Sequence, residues 1–152
     1  MDREKVIQSK KKEMSENVMI SQCVYDEIIR TVGSTPPESG GILGVKGGVI
    51  NSFFFDENRA EDGNTYTPNI GMLNDVLIKW HEYGAEFGGV IHSHPIDMQY
   101  LSYADKSYAL HMMKINKLER VYFPLVIPEN GRLLMYVVHG DGKIIKQNYI
   151  IK

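Results

Sequence analysis

The run Phe87-Gly88-Gly89-Val90-Ile91-His92-Ser93-His94-Pro95 constrains the fold more than any other stretch of the chain. Its apolar centre is opened by glycines, and Pro95 closes it because a proline donates nothing to a strand ladder, so His92 and His94 fall at the end of a short strand. Side chains on a strand alternate faces, which puts both imidazoles on one face, roughly 6–7 Å apart at about 3.3 Å per residue. Two nitrogens so placed can converge on one ion at roughly 2.0–2.1 Å each. Ser93 then points to the other face.

Beyond a loop, Ser102-Tyr103-Ala104-Asp105 opens a segment of helical periodicity, and a Ser followed three residues later by an acid marks a helix start. Asp105 is then a capping residue. A helix start beside the strand end would also let Asp105 reach an ion, with the Ser102 hydroxyl and the helix dipole facing an electron-rich oxygen. The two roles are compatible. His92, His94 and Asp105 supply three ligands, and a catalytic zinc has three protein ligands with water in the open position, its pKa lowered to about 7. A base must take that proton. Spacing does not choose among Glu38, Asp56, Glu57, Glu61, Glu82 and Glu86, although Glu38 stands at the mouth of a Gly-lined strand.

The 152 residues, 43% hydrophobic and 24% charged, suit one domain with a real core. A net charge of −2 supplies no basic field for nucleic acid. The single cysteine, Cys23, excludes an internal disulfide and a Cys-rich zinc framework, agrees with a reducing, cytoplasmic setting, and is expected to be a small core residue. No apolar run approaches the roughly 18 residues of a membrane span, and no signal-peptide apolar region follows Met1-Asp2-Arg3-Glu4-Lys5. We expect a cytoplasmic protein without nucleic-acid or membrane partners.

Residues 1–16 read as a flexible lead-in and 17–152 as the folded domain. Val18-Met19-Ile20 reads as a strand, and Ser21 caps a helix carrying Val24, Ile28, Ile29 and Val32 that breaks at Gly33. Pro36 and Pro37 hold the entry to the Gly40-Gly41 strand, and Gly47-Gly48 reads as a hairpin turn. Asp56 to Thr67 is a polar excursion that could line a cleft. Ile70, Leu73, Leu77 and Trp80 form a helical face capped at Pro68-Asn69 and ended by Gly84. The helix from Ser102 to about Lys117 is expected to carry Ala104, Tyr108, Met112 and Ile115 on one face. Val121–Ile127, Arg132–Val138 and Lys143–Ile151 read as three strands, with Pro124 marking the first as an edge or a bulge. His81 and His111 read as surface or packing histidines, and His139 as a minor ligand candidate. Strands mixed with helices give an α/β or α+β arrangement of helices on one sheet.

Taken together, Glu38-Ser39-Gly40-Gly41-Ile42-Leu43-Gly44, His92-Ser93-His94-Pro95 and Ser102-Tyr103-Ala104-Asp105, with seven residues between His94 and Ser102, resemble the JAMM motif of the MPN-plus metalloproteases. The resemblance covers about residues 18 to 135, and the full set is specific where a lone His-x-His is not. It implies an α/β fold, a cytidine-deaminase-like mixed β-sheet flanked by helices. It also implies one Zn2+ per chain on His92, His94 and Asp105, with Glu38 as general base and acid through the metal-bound water and Ser102 as donor to the oxyanion. Members of this family hydrolyse peptide or isopeptide bonds, often at the C-terminus of ubiquitin or a ubiquitin-like protein. The short chain is more similar to compact bacterial JAMM proteins than to eukaryotic deubiquitinases.

The expected function is therefore a zinc metallopeptidase acting at the C-terminus of a ubiquitin-like or sulfur-carrier protein. Alternatives are a zinc peptidase for unrelated peptides, such as cell-wall or phage-tail substrates, and a non-catalytic MPN-type binding module, against which the complete ligand set argues. A deaminase would need His-x-Glu and Pro-Cys-x-x-Cys, and neither is present.

Overall fold

Local signals lay down the first half of the fold. Val18–Ile20 is strand β1, and the Ser21 hydroxyl accepts the Val24 N–H (3.2 Å) to cap helix α1, Gln22–Thr31, which buries Val24 and Ile28. A 3-10 turn, Val32–Ser34, carries the chain past Gly33. Strands β2 (Gly40–Lys46) and β3 (Val49–Asp56) pair antiparallel around Gly47 and Gly48, whose φ values of 60° and 76° are what a type I′ turn requires. Helix α2 (Ile70–Glu82) sets the Trp80 ring beside Gly44 of β2. Strand β4 (Glu86–Ser93), helix α3 (Tyr103–Asn116) and strands β5 (Arg120–Tyr122), β6 (Leu125–Ile127), β7 (Arg132–His139), β8 (Ile144–Gln147) and β9 (Tyr149–Ile151) follow. The computed structural model describes residues 17–57 and 70–152, so the lead-in 1–16, residues 58–67 of the polar excursion and the Pro68-Asn69 cap lie outside the described residues.

The strands form one mixed sheet, as expected, with the three helices flanking it. Strand β4 lies inside it, antiparallel to β2 and parallel to β5 and β6. Both β5 and β6 also pair with β7, so together they act as a single strand interrupted at Phe123-Pro124. Pro124 thus marks an interior interruption and not an edge. The C-terminal segment is likewise divided: β8 pairs with β7 and β9 with β1, and the Asn148 carbonyl between them accepts the Val18 N–H (3.0 Å). The three strands expected here are therefore five.

Period-two alternation divides the core between the two faces of this sheet. Ile91, Val126, Leu133, Met135 and Val137 pack with Val24, Ile28 and Val32 of the α1 segment. Val90, Val121, Phe123 and Val138 pack instead with Ala109 and Met113 of α3. On α3 the buried stripe is Ala109 and Met113, with Tyr108 of the expected face packed partly buried against the same cluster, while Ile115 is 61% exposed. This corrects the expected Ala104–Tyr108–Met112–Ile115 face by one residue. The reason lies in Asp105: positions 105, 109 and 113 succeed one another at i+4, so turning Asp105 toward β4 carries Ala109 and Met113 inward with it. Cys23 is exposed and not in the core. Among the described residues no helix is long and apolar enough to cross a membrane.

Candidate metal centre

The end of β4 is held from both sides. His92 is in register with Gly40 of β2 and with Leu125 of β6, and the His94 N–H donates to the Val126 carbonyl (3.0 Å). Alternation places Val90, His92 and His94 on the α3 face, and both histidines are almost wholly buried. Their Nε2 atoms lie 2.9 Å apart.

Two carboxylates meet this pair. The register of β2 against β4 brings Glu38, two residues before Gly40, to the strand end, with Oε1 3.6 Å from His94 Nε2. Asp105, from the first turn of α3, sets Oδ1 3.2 Å from His92 Nε2 and Oδ2 3.5 Å from His94 Nε2. The same aspartate caps its helix: the Ser102 N–H donates to Asp105 Oδ2 (2.8 Å), and the Asp105 N–H donates to Ser102 Oγ (3.1 Å). Capping and facing the histidines are therefore one arrangement, with the helix fixed in the rotation that points Asp105 at β4.

The imidazoles are oriented by neighbours that the sequence does not advertise. A carbonyl can only accept, so the contact of His94 Nδ1 with Met98 O (3.0 Å) puts the proton on Nδ1 and leaves the Nε2 lone pair facing His92. The Tyr136 hydroxyl donates to the next carbonyl, that of Gln99 (2.6 Å), and steadies the loop. Phe123 packs edge-to-face on His92, ring centroids 5.0 Å apart, from the interruption between β5 and β6. Ser93, on the opposite face, bonds to Ser39 next to Glu38.

Electrostatics follow from this packing. Burial, reinforced by the neighbouring His92 charge, holds His94 below the ordinary imidazole range, against the upward pull of Asp105, Glu38 and the Met98 carbonyl. Burial alone would raise Asp105, but the hydrogen bond and charge of His92, then the Ser102 N–H and hydroxyl, outweigh it and hold the carboxyl at about 2. Asp105 is an anion at neutral pH and His94 a neutral donor, the states in which both bind metals.

The donor set fits a metal ion. Ligand atoms of Glu38, His92 and His94 all lie within 4.8 Å of one another, and Asp105 touches both histidines. Tetrahedral coordination at roughly 2.0–2.1 Å separates ligand atoms by about 3.3 Å. The separations of 2.9, 3.2 and 3.5 Å among His92, His94 and Asp105 come close to that spacing.

Of the six acids left open by spacing, Glu38 stands against His94. Asp56 is buried at the end of β3 opposite Gly40, Glu57 and Glu82 are exposed, Glu86 is paired with His81 (2.7 Å), and Glu61 lies outside the described residues. His81 and His111 are exposed, as expected. His139 pairs with Arg120, at the other end of β7 from the Leu134–Leu125 pairing that adjoins His92, so it takes no part in this cluster.

No protein-family model matches this chain, and no curated protein does. Solved structures do. A JAB1/MPN domain protein from Archaeoglobus fulgidus superposes with a TM-score of 0.54 at 15% identity, covering 89% of this chain and 99% of that one. A protein from Desulfitobacterium hafniense gives 0.65 at 15% identity, covering 88% and 92%. A structure described as JAMM, a metalloprotease-like zinc site in the proteasome and signalosome, gives 0.50 at 16% identity, covering 89% and 99%. The chain has the JAB1/MPN fold.

Proposed function

We propose that this chain is a zinc-dependent metallopeptidase that hydrolyses a peptide or isopeptide bond at the C-terminus of a ubiquitin-like or sulfur-carrier protein. The observation that carries the reading is the meeting of Glu38, His92, His94 and Asp105, from three separate stretches of chain, at one strand end. The JAMM-like motif and the likeness to a structure described as a metalloprotease-like zinc site support it.

His92, His94 and Asp105 would hold the ion, because Asp105 is anionic, braced by Ser102 and in contact with both imidazoles. Zinc held there supplies Lewis-acid activation of water and of the scissile carbonyl. Glu38, whose Oε1 lies 3.6 Å from His94 Nε2, would take a proton there from the attacking water and pass it to the leaving amine nitrogen. The Ser102 hydroxyl, which adjoins the Asp105 carboxylate and accepts the Asp105 N–H, would turn its hydrogen to the carbonyl oxygen as charge builds there.

Metal analysis of protein purified without chelator is expected to return about one zinc per chain, the number that a single three-ligand site takes. Incubation with ubiquitin-like fusions should give cleavage that a chelator stops and added zinc restores. Glu38→Gln should keep the metal and lower turnover by about 10²–10⁴-fold. Undiminished cleavage by that variant, or in chelator, overturns the reading; cleavage of unrelated peptides but of no fusion moves the substrate class and leaves the chemistry standing.

A further inference from the structure

Ser93 and Ser39 are both fully buried, and Ser93 lies on the face of β4 opposite the two histidines. The paired register of β2 and β4 ends at Gly40 opposite His92. One residue farther on, the Ser93 N–H donates to the Ser39 carbonyl (2.9 Å), and the Ser39 N–H donates to Ser93 Oγ (3.1 Å). The two hydroxyl oxygens are 3.4 Å apart, and Ser93 Oγ lies 3.5 Å from the Ser39 carbonyl. A side-chain oxygen thus takes the backbone N–H of the residue that follows Glu38, just where the ladder stops. The neighbour of Ser93 on this face, Ile91, serves packing alone. A hydroxyl in so dry a place is kept by the hydrogen bond that it makes.

We propose that Ser93 is a positioning residue for Glu38. Its hydroxyl clamps the Ser39 backbone, and the clamp holds the Glu38 carboxylate 3.6 Å from His94 Nε2. The inference rests on the metallopeptidase reading of Glu38. Through one strand residue pair, His92 and His94 gather the ion on one face while Ser93, between them, sets the base from the other. Removing the hydroxyl leaves the Ser39 N–H without its acceptor and frees the Glu38 segment to shift, and a misplacement of about 1 Å at a reacting group costs up to about 100-fold in rate.

The test compares Ser93→Ala and Ser93→Thr with wild type by three measurements: zinc affinity by chelator competition, kcat and KM on a cleaved fusion, and hydrogen exchange of the Ser39 amide in metal-free protein. In Ser93→Ala the Ser39 amide should exchange about 10-fold faster or more. Its zinc affinity should stay well inside the roughly 10-fold loss expected of a disturbed ligand shell, while kcat falls and KM holds. Ser93→Thr, which restores a hydroxyl, should recover kcat and the slow amide. Wild-type kcat or wild-type Ser39 exchange in Ser93→Ala overturns the clamp. Loss of zinc in parallel with kcat overturns it too, because Ser93 would then act through the histidines. If the wild-type protein cleaves nothing, the metallopeptidase reading fails, and with it a role in placing a base; the amide exchange then reports separately on the clamp.

Discussion

Replacing Asp105 with Asn keeps the shape and capping oxygen of the side chain and removes its charge. In the metal-free protein the Asp105 carboxyl is held at about 2 against an ordinary 3.8. That difference corresponds to roughly 2 kcal/mol of folding free energy. A carboxyl held below its unfolded value stabilises the fold above about pH 4 and loses that contribution as pH falls toward 2. Wild type should therefore exceed Asp105→Asn by roughly 2 kcal/mol at pH 5, and the gap should close near pH 2. His94, held low by burial against the upward pull of Asp105, falls further when that charge is removed, so its destabilisation below the ordinary imidazole value is larger in Asp105→Asn and widens the gap in the same direction. Urea unfolding of chelator-treated protein measures this directly: at a slope of roughly 2 kcal/mol per molar, the midpoints should differ by about 1 M at pH 5. A difference that does not vary with pH would refute the reasoning, because it would show that the carboxylate charge is not what joins α3 to the histidines.

Further outcomes follow from individual contacts. Tyr136→Phe removes the 2.6 Å bond to the Gln99 carbonyl; it should cost about 0.5–1.5 kcal/mol in chemical unfolding and weaken zinc binding by about 10-fold through the adjoining Met98 carbonyl. Gly41→Ala would put a Cβ 2.1 Å from the Phe54 carbonyl oxygen; a destabilisation of about 1–3 kcal/mol is expected, read as a lowered Tm. His81→Ala and His111→Ala, both at exposed positions, should leave zinc content at the wild-type level by elemental analysis.

The parts of the site legible in the sequence are those set by short-range geometry. Period two puts His92 and His94 on one strand face and Ser93 on the other, and the Ser102-x-x-Asp105 spacing closes a capping box whatever the helix packs against. The Gly47-Gly48 turn was legible for the same reason, since positive φ at two successive residues selects glycine. Other features had a signal with two meanings. Pro124 does disrupt a strand, but whether at an edge or inside the sheet depends on what lies alongside, and here β4 and β7 flank the break. The α3 stripe was one residue off because apolar periodicity weighs Ile115 and Ala104 without knowing that Asp105 must turn inward.

By itself the sequence determined which residues could serve as ligands and on which face of each element they stand, because backbone sterics and side-chain alternation act within a few residues. Spacing did not choose the acid that joins them; the motif resemblance named Glu38, and only the tertiary structure decided how it reaches them. Glu38 is 54 residues from His92, and its place beside His94 comes from the register of Gly40 against His92, a long-range pairing that local preferences do not encode. The orientation of the imidazoles was decided there too. Met98 offers a backbone carbonyl, which every residue has, and Phe123 an aromatic edge, so neither could be singled out until the chain had brought them to the histidines.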